Sequence, residues 1–272
     1  MKKIPFVKMV GAGNDFVIVE ELKTNLPVLA REICQRKTGI GADGLLVLEK
    51  SRQADFKMLV FNPDGSEAEM CGNGARCMAV YLATVEKVKK QHLILETKAG
   101  LIEVKAHKDE ALINVGIPKE INLDVSLDLR GRPVRVNAIN TGVPHAVIFV
   151  DGIDHIDVCG LGREVRFHPK FAPRGTNVNF AEQLGKDFIK VRTYERGVEN
   201  ETLACGTGSV ASSIITFLKM PATKKGKGHF TMRVLTLSTE VLKVHFDFLD
   251  KKVFNVWLEG KAKLLYSGVY YV

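Results

Sequence analysis

Glu69–Cys77 reads EMCGNGARC, and Leu203–Ala211 reads LACGTGSVA. Each places Cys-Gly-x-Gly after a turn or loop and immediately before a run with helical spacing. The first turn of a helix leaves backbone N–H groups unpaired and carries partial positive charge. Glycines there let a ligand approach the backbone, which suits a carboxylate or phosphate. A cysteine in the same place gains thiolate character, its pKa moving from about 8.5 into the range of roughly 3.5–7.5. One such elbow can therefore hold a carboxylate and supply a base, and the chain has two.

The surroundings of the elbows repeat as well. In the first half, residues 55–61 alternate like a strand, NPDG at 62–65 is a turn, and 74–88 has helical spacing. Strand-like segments follow at 92–97, 101–106 and 111–117. The second half has the same order: a strand at 188–194, a loop at 195–200, a helix at 207–219, then strands at 232–237, 240–248 and 252–258. Asn114 in INV corresponds to Asn255 in FNV, and GNDF at 13–16 echoes TNVNF at 176–180. The spacing between the two cysteines and that between the two asparagines differ by a short insertion, assigned to the lysine-rich loop. The expected fold is α/β (α+β) with two pseudo-symmetric lobes, residues 1–117 completed by 262–272, and residues 118–261. The strands leave sheet order open.

The remaining composition narrows the class. With 272 residues and 46% apolar content the chain can bury a large core. No apolar run reaches the roughly 20 residues that span a bilayer. The opening MKKIPFVKMVGAGNDF starts like a signal peptide but breaks into Gly, Asn and Asp, so the cytoplasm is expected and no membrane partner. Cys34, Cys71, Cys77, Cys159 and Cys205 are odd in number and irregular in spacing, which points to reduced thiols rather than a disulfide framework. The net charge of +8 has its densest cluster at residues 224–229, KKGKGH, which reads as a solvated loop and not a nucleic-acid patch.

A cysteine outside such an elbow is usually a small buried hydrophobe, the reading for Cys34, Cys77 and Cys159. Cys71 and Cys205 differ because their elbows are paired. Two thiols from pseudo-symmetric lobes, opposed across a cleft, suit removal of a proton from one face of a carbon and its return to the other. That chemistry inverts a stereocentre.

These motifs together resemble the diaminopimelate epimerase family, whose members are cofactor-independent. The resemblance is carried by GAGNDF at 11–16, GIGADGLL at 39–46, NPDGSEAEMCGNGARC at 62–77, TGVPH at 141–145, GTNVNF at 175–180 and YERGVENETLACGTG at 194–208. It implies that each lobe is a mainly antiparallel strand set around a central helix, with the active site in the cleft between lobes. It implies interconversion of L,L- and meso-2,6-diaminopimelate in lysine and peptidoglycan precursor synthesis, with no cofactor, and a homodimer. Cys71 and Cys205 are then catalytic, with Cys71 as donor and Cys205 as acceptor toward meso by family convention, a choice the residues themselves leave open. Amides around Gly72, Asn73, Gly206 and Thr207 would bind the reacting carboxylate. Asn14, Asn62, Asn177, Glu195 and Arg196 would hold the substrate, and His145 with Glu195 would set the thiol pKa values. Two positions depart from the family pattern: Gly44 stands where some members have Gln, and Val143 where Asn is commoner, with Thr141 or Asn140 as candidate replacements.

Two other patterns are set aside. G-x-G-x-x-G at 39–44 follows a helix-like run and precedes the strand-like LLVLEK, the reverse of a dinucleotide fingerprint. Cys71 and Cys77 lack zinc-ligand spacing, so no metal site is expected.

Overall fold

The computed structural model describes residues 2–221 and 226–272. The chain forms two compact units, residues 1–114 with 259–272, and residues 115–258. Both divisions lie three residues before the expected boundaries, at 114/115 against 117/118 and at 258/259 against 261/262.

In the first unit the strands are β1 (Lys3–Gly11), β2 (Asn14–Glu20), β3 (Gly44–Glu49), β4 (Phe56–Phe61), β5 (Glu67–Ala68), β6 (His92–Thr97), β7 (Gly100–His107) and β8 (Glu110–Gly116). The helices are α1 (Leu26–Ile33) and α2 (Gly72–Thr84). Neighbours are antiparallel except β2–β3 and β4–β6, which are parallel. A parallel pair needs a crossover, and α1 and α2 supply the two. Asn25 starts α1 by accepting from the Val28 amide at 3.2 Å, with Pro27 in the first turn. Strand alternation sends Val17, Val19, Leu45 and Val47 into the core beneath α1. The opposite face of the sheet packs on α2, in which residues 73–82 are all buried. A helix with no exposed face belongs at the centre of its domain.

The second unit repeats this plan with β9 (Lys119–Leu129), β10 (Arg132–Asn140), β11 (Pro144–Phe149), β12 (Asn177–Gly185), β13 (Phe188–Glu195), β14 (Asn200–Thr202), β15 (Gly228–Leu235), β16 (Val241–Leu249) and β17 (Lys252–Lys261). Its helices are α3 (Val158–Arg166) and α4 (Gly206–Lys219). Here β11–β12 and β13–β15 are the parallel pairs, crossed by α3 and α4. The pairs β9–β10, β10–β11, β12–β13, β13–β14 and β15–β16 are antiparallel. The last strand, β18 (Lys263–Tyr271), pairs with β1 in the first unit as β9 pairs with β10 in the second. The central helix α4 is buried from Gly208 to Phe217.

Several local expectations shift. The two central helices begin at Gly72 and Gly206, so both cysteines are N-caps. The echo of GNDF with TNVNF joins strands that are not counterparts: Asn14 opens β2, the equivalent of β11, whereas Asn177 opens β12, the equivalent of β3. Within the lysine-rich stretch, Gly228 and His229 already belong to β15, where His229 pairs with Asp247 at 2.9 Å. Lys224 and Lys225 lie outside the described residues. Cys34 and Cys77 are buried, and burial pushes the Cys34 thiol up to about 11. Cys159 is exposed instead, because α3 lies at the surface, and its Sγ is 3.1 Å from Asn200 Oδ1.

Candidate active site

Cys71 has the extended backbone of an N-cap, and its Sγ accepts from the Gly74 amide at 3.4 Å. The amides of Gly72 and Asn73 open α2 and have no partner within the helix. Asn73 donates through Nδ2 to Asn14 Oδ1, and its own Oδ1 accepts from Arg76 Nη2 at 2.7 Å. Asn14 Nδ2 in turn donates to Asp43 Oδ2 at 3.2 Å. An arginine can only donate and a carboxylate only accept, so the two ends of this chain set the orientation of both amides. Asp43 and Asp15 share Arg36, and Asp15 also meets the buried Lys8 at 2.8 Å. Burial alone would raise the Asp15 carboxyl, but Arg36 and Lys8 together hold it at about 2. Asn14, Gly72, Asn73 and Cys71 are thus brought together. Asn62 follows β4 on the turn, where its Nδ2 donates to Ser66 Oγ at 3.0 Å.

Around Cys205 the second unit builds a different setting. Cys205 is 9% exposed, makes no side-chain cap bond, and sits 3.5 Å from the Thr207 hydroxyl. Gly206 and Thr207 open α4, and Thr141 Oγ1 donates to the Thr207 carbonyl at 3.1 Å. His145 and Asn177 stand side by side in the parallel β11–β12 register. Asn177 donates to the Pro144 carbonyl at 3.2 Å and accepts from the Arg196 amide at 2.8 Å, so it ties the start of β11 to the loop after β13. Glu195 accepts from Thr202 Oγ1 at 3.0 Å, and burial raises its carboxyl above the usual range. His145 is fully buried, and burial together with the Arg196 charge pushes its ring down to about 3. The ring is neutral.

The two departures can be read directly. A side chain at Gly44 would press on the Phe61 carbonyl at 3.1 Å and the Phe16 ring at 3.3 Å. The Thr141 hydroxyl proton is used on Thr207, while Asn140 bonds Gly142 and Glu120. Both candidate replacements for an Asn at Val143 therefore already have bonding partners.

Asn179 and Arg76, both wholly buried, were not singled out from sequence. The signal for Asn179 is present in the sequence, since two asparagines at alternate positions of one strand share one face. Arg76 sits one turn into a buried helix, where a charge demands a purpose.

The fold is that of known two-lobe α+β proteins. A phenazine biosynthesis protein of the PhzF family from Bacillus anthracis matches with a TM-score of 0.76 at 16% identity, covering all of both chains. A probable proline racemase from Agrobacterium radiobacter matches at 0.70 and 15%, covering 99% of this chain and 92% of that one. Within that fold the sequence is specific: the family model for diaminopimelate epimerase matches residues 6–120 and 137–241. The diaminopimelate epimerase of Aquifex aeolicus is 40% identical, covering 97% of this chain and 96% of its own length. That of Methanocella arvoryzae is 39% identical, covering 98% and 97%. The chain belongs to the diaminopimelate epimerase family.

Proposed function

We propose that the protein interconverts L,L- and meso-2,6-diaminopimelate by two-base proton transfer at the α-carbon, with Cys71 and Cys205 as the two bases. The observation that carries this reading is that each unit caps its central buried helix with a cysteine at the same point of the same fold. One thiolate takes the α-proton, and the C–H electron pair stays on carbon and spreads into the α-carboxylate. The other thiol gives its proton to the other face of that carbon. One thiol and one thiolate remain with their roles exchanged, so the same machinery serves the reverse reaction.

The developing negative charge needs donors already in place. The helix-end amides of Gly72, Asn73, Gly206 and Thr207 are suited to that. Arg196 can grip a carboxylate in a fork and Glu195 an ammonium group, while Asn14, Asn62 and Asn177 provide polar contacts and hold neighbouring loops. His145 and Glu195 tune the thiols as neighbours. No pyridoxal cofactor is required, and a cytoplasmic homodimer is the expected setting.

The test is proton NMR of reduced protein with L,L-diaminopimelate in D₂O, without added pyridoxal phosphate. Deuterium should enter the α-position as the meso product appears, and Cys71→Ala and Cys205→Ala should each stop epimerisation. Unchanged substrate with the wild-type protein would overturn the assignment.

A further inference from the structure

The floor under the Cys205 elbow is polar. Asn179 Nδ2 lies 3.0 Å from His145 Nδ1 and 3.2 Å from the Ala146 carbonyl oxygen, and Asn179 Oδ1 accepts from Thr193 Oγ1 at 3.0 Å. The orientation of this amide follows from its partners. A backbone carbonyl can only accept, so the atom facing Ala146 is the NH₂ group. The same NH₂ faces His145 Nδ1, which must then be the accepting nitrogen. In a neutral imidazole the other nitrogen carries the proton. That nitrogen, Nε2, is buried and has no hydrogen-bond partner among the described residues.

We propose that Asn179 is a positioning residue that locks His145 as its neutral Nε2–H tautomer, so that the ring acts on the reaction as a fixed hydrogen-bond donor and not as a proton carrier. A proton on Nδ1 would point at the Asn179 NH₂, which also donates. Desolvation and the nearby Arg196 charge oppose the imidazolium for a separate reason. A buried N–H left without an acceptor carries a desolvation penalty, which favours any acceptor, such as a carboxylate or thiolate, that the working site brings to it. Asn179 is itself held in place: a Cβ at Gly208 would lie 2.2 Å from Asn179 Oδ1, so the amide fills the space beneath the first turn of α4. The elbow's second glycine is needed there for this amide rather than for a ligand.

The tautomer is a property of the protein alone, whereas its part in turnover rests on the epimerase reading. Nitrogen NMR of protein labelled in its histidines separates the two, with His145→Gln used to assign the signals. In the wild-type protein Nδ1 should resonate as an unprotonated nitrogen and Nε2 as a protonated one throughout about pH 5–8. Asn179→Asp places an acceptor-only carboxylate beside Nδ1, so the proton should move to Nδ1 or the ring should become doubly protonated. Epimerisation by that variant should fall by about 10- to 100-fold in kcat, more than any change in KM, with a new ionisation in its pH profile. A protonated Nδ1 in the wild-type spectrum overturns the proposal, even where Asn179→Asp does not fold. An inverted tautomer with kcat unchanged overturns the role in turnover. If the wild-type protein shows the expected tautomer but no epimerisation, the structural lock stands and the proposed function fails.

Discussion

The two elbows share a backbone and differ in what lies beneath them. Register makes the comparison position by position. Phe16 pairs with Gly44 and Leu46 with Val60 in the first unit; His145 pairs with Asn177 and Asn179 with Thr193 in the second. Four positions occupied by Phe, Gly, Leu and Val are thus matched by His, Asn, Asn and Thr. A Cβ at Gly74 would meet the Leu46 side chain at 3.0 Å, whereas one at Gly208 would meet the Asn179 amide oxygen at 2.2 Å. The helix ends are alike in the two units, and side chains that hydrogen-bond lie under only one of them. The first unit instead places its polar network to the side, through Asn73, Asn14 and Asp43. Symmetric chemistry at the thiols is compatible with asymmetric support.

The sharpest way to break the comparison is to remove one thiol at a time. Cys71→Ala and Cys205→Ala should each lower epimerisation by at least about 10²–10⁴-fold, as expected for loss of a positioned acid or base. Near-wild-type turnover by one variant while the other loses it would mean that the elbows are not functional equals.

Next in size is the contrast between the second glycines. Gly208→Ala should cost about 1–3 kcal/mol, because the buried amide it strikes is bonded on both sides and cannot withdraw. Gly74→Ala should cost less, since the Leu46 methyl can shift by a few tenths of an ångström and alanine favours a helix by about 1 kcal/mol. Urea unfolding of both variants measures the difference, and equal losses would remove the distinction between the floors.

A third contrast uses pH. The Glu195 carboxyl is raised by burial, so its folded form binds a proton more tightly than its unfolded form. Its contribution is fully present below the ordinary carboxyl range and is lost as pH rises through the folded value. Glu195→Gln should therefore be more stable than wild type at neutral pH and lose that advantage near about pH 4. His145 has the opposite sign of shift for a base: held at about 3 in the fold, it loses stability as pH falls below its ordinary 6.5. Both shifts favour uncharged groups in the second unit. Denaturation across this range with and without Glu195→Gln checks the sign.

The smallest effect belongs to the first unit. Arg36 is 62% exposed where it meets Asp15 and Asp43, so Arg36→Ala should cost under about 1 kcal/mol at neutral pH, with Lys8 still paired to Asp15. Asp15 is held at about 2, so its stabilisation is present above its ordinary 3.8 and is lost as pH falls toward 2. The Arg36→Ala difference should vanish in that acid window. A loss of several kcal/mol would show that the first unit depends on this network more than an exposed pair allows.

Much of this was legible in the chain itself. The duplicated order of strands and helices, and a cysteine before each central helix, follow from periodicity and turn residues over short windows. Those signals are local, because each depends on neighbours a few bonds away. The same locality explains the misplaced echo: GNDF and TNVNF look alike, but similarity of four or five residues carries no information about which strand lies beside which. Asn177 and Asn179 are indistinguishable as sequence, two polar residues on one face of one strand. Only the pairing of β11, β12 and β13 puts Asn177 against the backbone at the start of β11 and after β13, and Asn179 against a buried imidazole and a threonine hydroxyl. The sequence alone determined the two central helices with the strands that flank them, the repeat and the paired thiols. Tertiary structure decided the floor under each thiol, because strand register joins residues far apart in the chain.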